Sequence, residues 1–160
     1  MRRLVVALLL PPVLLAHVVA TGLEQLDPEA TVRRYLGAVK DGKLEDAYDL
    51  ISKAMRQDKE KEVWVKEQRA MMAFADVKIF DFKVQPAKIE GDVARVPNVL
   101  SSQDRFANQL GLTEYELYTL VREDGAWKVD SQLIVEPPDI PKWFPDARKK
   151  EPAAAVPSTH

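Results

Sequence analysis

The chain has 160 residues, of which 46% are hydrophobic and 30% are charged, and its formal net charge is -2 at pH 7. This composition is typical of one globular domain with extensions and excludes a disordered chain. The charge balance provides no clustered basic surface, so we expect no nucleic-acid partner.

Cysteine and histidine are nearly absent. The chain has no cysteine, and its two histidines are His17, within an apolar N-terminal run, and His160, the last residue. Disulfides, thiolate metal sites, a histidine-ligated zinc and a Ser-His-Asp triad are therefore excluded from the predicted folded part. The 6 glycines are too scattered to cradle a phosphate. We expect neither a metal nor a cofactor.

Residues 1–20 have the pattern of an export segment. Arg2 and Arg3 precede an apolar run that ends at Ala20, which predicts cleavage before Thr21. The alternative is an uncleaved anchor in the inner membrane, which Pro11-Pro12 in the middle of the run makes less favourable. Both interpretations place the rest of the chain outside the cytoplasm, periplasmic or secreted. Contact with a membrane is predicted only if residues 1–20 stay uncleaved.

A helical region follows. Asp27-Pro28-Glu29 is a helix start, and Gly42 can close the helix in the left-handed conformation. The apolar residues between them recur at helical spacing: Val32, Tyr35, Leu36 and Val39. A second, shorter helix is predicted from Leu44 to near Ser52. A third is predicted over about 58–74, with its inward side chains Trp64, Met71 and Phe74.

The next region predicts antiparallel strands. Ile79 and Phe80 belong to opposite alternation phases of the first strand, which indicates a bulge between them. A second strand is predicted over 93–100, where Pro97 indicates an edge or a bend. Another strand contains Tyr115, Leu117, Thr119 and Val121 in alternation with Glu114, Glu116 and Tyr118. Asp124-Gly125 then predicts a hairpin turn with positive φ at both residues.

The prolines after Glu136 exclude residues 137–160 from a sheet interior. We expect an extended C-terminal tail, disordered from about Arg148. Trp143 and Phe144 interrupt this polar segment. They either fold back onto their own domain or anchor a protein partner.

The order of these elements resembles the NTF2-like (nuclear transport factor 2, cystatin-like) superfamily, in particular its small exported bacterial domains of unknown function. The resemblance covers about Asp27 to Val135 and is carried by four segments: 30–39, Asp41 to Tyr48, Gly91 to Val96 and Glu123 to Val129. It implies an α+β cone, in which three N-terminal helices pack in the concave face of a curved, mostly antiparallel sheet and leave a tapered pocket. The predicted organisation is therefore an export segment or anchor at 1–20, an NTF2-like domain at 24–136 and a proline-rich tail at 137–160.

The fold hosts several activities, and three hypotheses stay open. The first is an exported, non-catalytic domain that binds a small apolar ligand or a protein partner in the cell envelope. The second is a membrane-anchored periplasmic assembly component similar to secretion-system members of the superfamily. The third is an enzyme similar to ketosteroid isomerases and dehydratases. A homodimer is compatible with each of them.

No catalytic motif of the superfamily is present, so we predict no catalytic residues and favour a non-enzyme. For the third hypothesis, the residues that can be placed are Tyr35, Tyr48 and Asp81, although Asp81 is expected to face solvent. The predicted pocket residues are aromatic: Tyr35, Tyr48, Trp64, Phe82 and Tyr115. The predicted partner anchors are Trp143 and Phe144.

Overall fold

A computed structural model describes residues 26–106 and 112–147. Within this part the chain forms three helices, a five-stranded sheet and two short C-terminal turns of helix. The predicted export segment at 1–20 and the tail beyond Ala147 lie outside the described residues. Within the described part of the chain, no helix is long and apolar enough to cross a membrane.

The first helix, α1 (Pro28–Lys40), begins and ends as predicted. The carboxylate of Asp27 accepts a hydrogen bond from the backbone N–H of Ala30 over 2.6 Å, so it caps the free donors of the first turn. At the other end Gly42 has a φ of +70° and the backbone N–H of Lys43 donates back to Ala38. The predicted left-handed closure is therefore confirmed.

The second helix, α2 (Leu44–Tyr48), is shorter than predicted. The chain after it leaves the helix to pair with the sheet. Ile51 forms a parallel bridge with Val129, and the N–H of Ser52 donates to the Val129 carbonyl over 2.8 Å. These sheet contacts take the backbone groups that a longer helix would have used.

The third helix, α3 (Lys61–Ala75), begins later than predicted because Gln57 and Asp58 both have positive φ. Its buried side is formed by Trp64 and Val65. The predicted inward positions of Met71 and Phe74 are wrong, since these side chains are 56% and 67% exposed. The stripe instead continues through the half-buried Met72, two turns after Trp64.

The sheet is formed by strands β1 (Lys78–Val84), β2 (Lys88–Glu90), β3 (Val93–Gln103), β4 (Leu112–Glu123) and β5 (Ala126–Ile134), all paired antiparallel. The strand order is β1-β3-β4-β5, and β2 pairs with β3. The helices pack on its concave face around one hydrophobic core. This arrangement confirms the predicted α+β cone.

The predicted bulge in β1 is confirmed. The pairing with β3 shifts between Ile79 and Asp81, which leaves Phe80 as the extra residue. Lys40, the last residue of α1, donates from its ammonium group to the carbonyl of Phe80 over 2.6 Å. The bulge puts Ile79 and Phe82 on the same half-buried face, although residues three positions apart lie on opposite faces of a regular strand.

Pro97 lies within β3, which is an interior strand. It falls between the residues of β3 that pair with β1 and those that pair with β2. β1 pairs with β3 as far as Asn98, β2 begins to pair at Arg95, and the Pro97 carbonyl accepts from the N–H of Gln85 in the connection. The missing N–H of the proline faces this same connection. It therefore breaks no strand pairing, which explains why the ring is tolerated there.

The part of the tail that the structure describes, 137–147, is not extended as predicted. Pro137–Asp139 forms a 3-10 turn, and Ile140–Trp143 (α4) forms a turn of α-helix. Proline fixes φ near the helical value and suits a first helical turn, so a proline-rich segment can form such short turns. α4 brings Phe144 onto the outer, convex face of the sheet, where it packs with Leu117 and Val135.

Candidate functional site

A cavity of about 210 Å³ lies between the helices and the concave face of the sheet. Its apolar wall comes from Leu36 and Val39 of α1, Leu44 of α2, and Trp64 and Met72 of α3. These residues point inward because they occupy the buried stripes of their helices. The cavity lies between the helices and the sheet, where the resemblance implies a pocket.

On the sheet side of the cavity, β4 contributes acidic and phenolic side chains. Glu116, Tyr118 and Leu120 alternate with residues of the opposite face, and all three are at most 1% exposed. Strand register places Asn98 of β3 directly opposite Glu116. A carboxyl group is therefore buried within the core face of the sheet.

The carboxylate of Glu116 accepts three hydrogen bonds. Oε2 accepts from the Asn98 amide over 2.8 Å and from the Tyr118 hydroxyl over 3.1 Å, and Oε1 accepts from the Gln132 amide over 2.5 Å. Such convergence is the way in which a folded protein accommodates a buried acid. The oxygen of the Asn98 amide, Oδ1, is buried and accepts no hydrogen bond from the described residues.

Burial dominates the titration of this cluster. Removal from water raises the pKa of Glu116 above its ordinary value, the three hydrogen bonds lower it by less, and the neighbouring carboxylate of Glu114 raises it further. Burial, with the charge of Glu116, raises the pKa of Tyr35 to about 12. The same two causes raise the pKa of Tyr118 well above that of a free phenol. Both phenols therefore remain hydrogen-bond donors at neutral pH.

Two further acidic residues, Glu114 and Asp104, line the cavity. The hydroxyl of Ser102 donates to the carboxylate of Glu114 over 3.3 Å. Among the described residues that line this cavity, none carries a cationic side chain. The cavity is thus apolar on its helix side and acidic on its sheet side. Within 26–106 and 112–147, no group of acidic or histidine side chains is arranged to hold a metal ion.

Two of the five predicted pocket residues, Tyr35 and Trp64, line the cavity. Tyr48 is buried beside it, where its hydroxyl donates to the carbonyl of Lys59 over 2.7 Å and its ring meets that of Trp64 at 5.8 Å. Phe82 packs at the edge of the core, with the ammonium group of Lys40 at 6.0 Å from its ring. Neither Tyr48 nor Phe82 is among the residues that line the cavity.

Tyr115 lies on the other face of the sheet. It belongs to the outer row of β4 with Leu117, and its ring lies 4.8 Å from that of Phe144 in an edge-to-face contact. Asp81 is exposed, as predicted, and also lies on the outer face. Phe144 is 5% exposed and packs on its own domain, whereas Trp143 is half-buried.

Sequence reasoning missed Glu116, Asn98, Tyr118 and Gln132. Tyr115 and Leu117 are apolar residues on one face of β4, and the sequence therefore suggested that this face points into the cone. The face lies on the outside of the sheet and is apolar because the tail covers it. One signal was present. Tyr118 and Leu120 continue the phase of Glu116, so the strand carries large side chains on both faces and either can be the core face.

Comparison with known proteins concerns the fold alone. No protein-family model matches the chain, and no curated protein matches it in sequence. Among solved structures, a SEC-C motif containing protein from Rhodopseudomonas palustris is 16% identical, with a TM-score of 0.54 over 68% of this chain and 79% of that one. A domain of unknown function with a cystatin-like fold from Nostoc punctiforme is 14% identical, with a TM-score of 0.49 over 78% of this chain and 85% of that one. An NTF2-like protein of unknown function from Cytophaga hutchinsonii is 15% identical, with a TM-score of 0.41 over 71% and 95% of the two chains.

Proposed function

We propose that this chain, which has the NTF2-like, cystatin-like fold, is an exported, non-catalytic domain that binds a compact apolar molecule in its cone cavity. The sequence of residues 1–20 supports export. The observation that carries the proposed binding is the position of Glu116, a carboxyl group buried on the acidic sheet side of a cavity whose helix side is apolar. A protein keeps such a group at a cost in stability, and ligand recognition is a frequent reason for it.

The lining of the cavity defines the ligand. Leu36, Trp64 and Met72 favour a ligand with an apolar body. The carboxylates of Glu114 and Glu116, when ionised, accept hydrogen bonds and cannot donate them. The matching ligand therefore carries a hydrogen-bond donor at one end, and a protonated amine has the best charge complementarity. A volume of about 210 Å³ lies below the usual range for drug-sized ligands, so the molecule is small.

Phenethylamine is a suitable probe, with 3-phenylpropionate as the matched acid of similar size. Binding is measured by calorimetry and by the indole N–H signal of Trp64 in NMR spectra. We expect the amine to bind and to shift this signal, and the acid to leave it unchanged. Glu116→Gln keeps the shape of the side chain and removes its charge, so it should weaken amine binding by at least tenfold.

A variant that fills the cavity tests whether the amine binds there rather than elsewhere on the surface. Val39→Phe adds volume inside the cone, and Val99→Phe adds the same volume at a half-buried site on the outer face. We expect only Val39→Phe to abolish the Trp64 shift, provided that both variants keep a cooperative thermal transition. Equal binding of the amine and the acid, or equal effects of the two variants, would reject this function.

A proton-transfer enzyme of the ketosteroid isomerase or dehydratase type is the second candidate. It is favoured by the raised pKa of Glu116 next to the phenol donors Tyr35 and Tyr118. Binding without chemistry is preferred because the three hydrogen bonds that Glu116 accepts weaken it as a base, whereas Oε1, which accepts only from Gln132 among the described residues, can still accept from a ligand. Turnover of a bound carbonyl compound that is lost in Glu116→Gln would favour the enzyme instead.

A further inference from the structure

A larger groove of about 740 Å³ lies on the opposite side of the sheet. Strand register aligns Lys83 of β1, Val99 of β3 and Tyr115 of β4 across its floor. The C-terminal residues 142–147 form the facing wall. The groove is therefore built by the tail as it crosses the convex face, and of the lining residues described it shares only Leu100 with the cone cavity.

The groove contains a cluster of apolar side chains that packs on the sheet. Phe144 is 5% exposed and packs with Leu117 and Val135, and its ring meets Tyr115 edge to face. Val99, Tyr115 and Trp143 remain half-buried beside it. These side chains offer apolar surface within a groove whose volume falls in the range of small-molecule sites.

The groove, unlike the cone cavity, is lined by cationic as well as acidic side chains. Lys83, Lys88 and Lys142 line it, together with the carboxylates of Asp81 and Asp146. None of the salt bridges found among the described residues involves these three lysines. The ammonium groups of Lys88 and Lys142 lie 4.5 and 5.1 Å from the centre of the Trp143 ring. Two cations thus lie beside the Trp143 ring in this groove.

We propose that this groove binds an amphipathic carboxylate with a single alkyl chain. The chain lies on Val99, Tyr115 and Phe144, and the carboxylate pairs with Lys88 and Lys142 beside Trp143. Burial of the alkyl chain supplies affinity, and the paired lysines select the sign of the head group. This site does not depend on the function proposed for the cone cavity.

The test compares three ten-carbon probes with the full chain, below their micelle concentrations: decanoate, decanol and decyltrimethylammonium. Binding is followed by calorimetry and by the three indole N–H signals in NMR spectra. We expect decanoate to bind at least tenfold more tightly than the cation, and to shift the signal of Trp143 while Trp64 and Trp127 stay in place. Equal binding of decanoate and the cation would overturn the proposal.

Variants locate the two ends of the ligand. The double variant Lys88→Met/Lys142→Met keeps most of each side-chain stem and removes both charges. Its affinity for decanoate should therefore fall at least tenfold. The control pair, Lys53→Met with Lys66→Met, removes two exposed lysines elsewhere and should change nothing. Val99→Phe should block the alkyl chain, whereas Val39→Phe in the cone cavity should not.

A second copy of the chain is the competing occupant. Sedimentation of the wild type and of Val99→Phe, measured across a hundredfold range of protein concentration, detects a dimer. A wild-type dimer that Val99→Phe converts to a monomer would show that the groove is a subunit interface, and would overturn the proposal. A monomer that binds decanoate in the manner described supports it.

Discussion

The hydroxyl of Tyr118 donates a hydrogen bond to the carboxylate of Glu116, two residues earlier on the same strand, over 3.1 Å. Alternation along β4 places both side chains on the concave face, so the strand itself supplies a donor to its own buried acid. The Tyr118 ring also meets the ring of Tyr35 on α1, with centroids 6.2 Å apart. The acid, the sheet and the first helix are therefore joined in one cluster.

The first prediction concerns stability and pH. The pKa of Glu116 is raised in the folded protein above its unfolded value, so folding favours its protonated form. Its contribution is fully present below the unfolded pKa and is lost as pH rises through the folded pKa. We expect the unfolding free energy of the wild type to fall, relative to Glu116→Gln, as pH rises from 4 to 8. Urea denaturation at a series of pH values measures the difference.

The control for this prediction is Glu62→Gln, which changes an exposed residue of α3. Its difference from the wild type should show little dependence on pH over the same interval. If Glu116→Gln instead loses stability relative to the wild type as pH rises, the hydrogen bonds outweigh burial and the direction of the shift is wrong.

The second prediction concerns the β4–β5 hairpin. Trp127 is 5% exposed in the core, with the guanidinium of Arg122 at 4.5 Å from its ring. Trp127→Ala should cost about 3–5 kcal/mol in unfolding free energy. Gly125 has a φ of +80°, so Gly125→Val should also destabilise, because a β-branched side chain resists that conformation. The measurement is denaturation of both variants, with Ser131→Ala, a change at an exposed position, as the control. Near-normal stability of both variants would contradict the pairing of the strands.

The hairpin illustrates what the sequence could predict. Asp124-Gly125 has one favoured turn geometry, and the predicted positive φ is observed at both residues. The Asp27 cap, the Gly42 closure and the Phe80 bulge were predictable for the same reason. Each depends on a few neighbouring residues whose backbone preferences are strong.

The candidate site was less predictable because it depends on contacts distant in sequence. Which face of β4 is concave is decided by the helices and by the tail, which covers Leu117 with Phe144. Glu116 is satisfied by Asn98 and Gln132 from two other strands. No local pattern distinguishes such a glutamate from the exposed glutamates that alternating strands carry on their solvent face.

The third prediction concerns export. If the segment at 1–20 is a cleaved signal, the mature protein should begin at Thr21 and be recovered in soluble form outside the cytoplasm. N-terminal sequencing of the protein from its own cells, after separation of soluble and membrane fractions, tests this. Recovery of the chain with an intact Met1 in the membrane fraction would favour the anchored assembly component.

The last prediction concerns the tail. Phe144 is buried against Leu117 and Val135, whereas Phe74 is 67% exposed. Phe144→Ala should therefore cost about 3–5 kcal/mol, as a large-to-small change in a packed site. Phe74→Ala, the matched control, should stay within about 0.5 kcal/mol of the wild type. Removal of residues 137–160 should lower the melting temperature at least as much as Phe144→Ala, because it uncovers the same outer face. If the truncated chain instead keeps its stability and loses envelope proteins that co-purify with the full chain, Trp143 and Phe144 serve as partner anchors rather than as the cover of their own sheet.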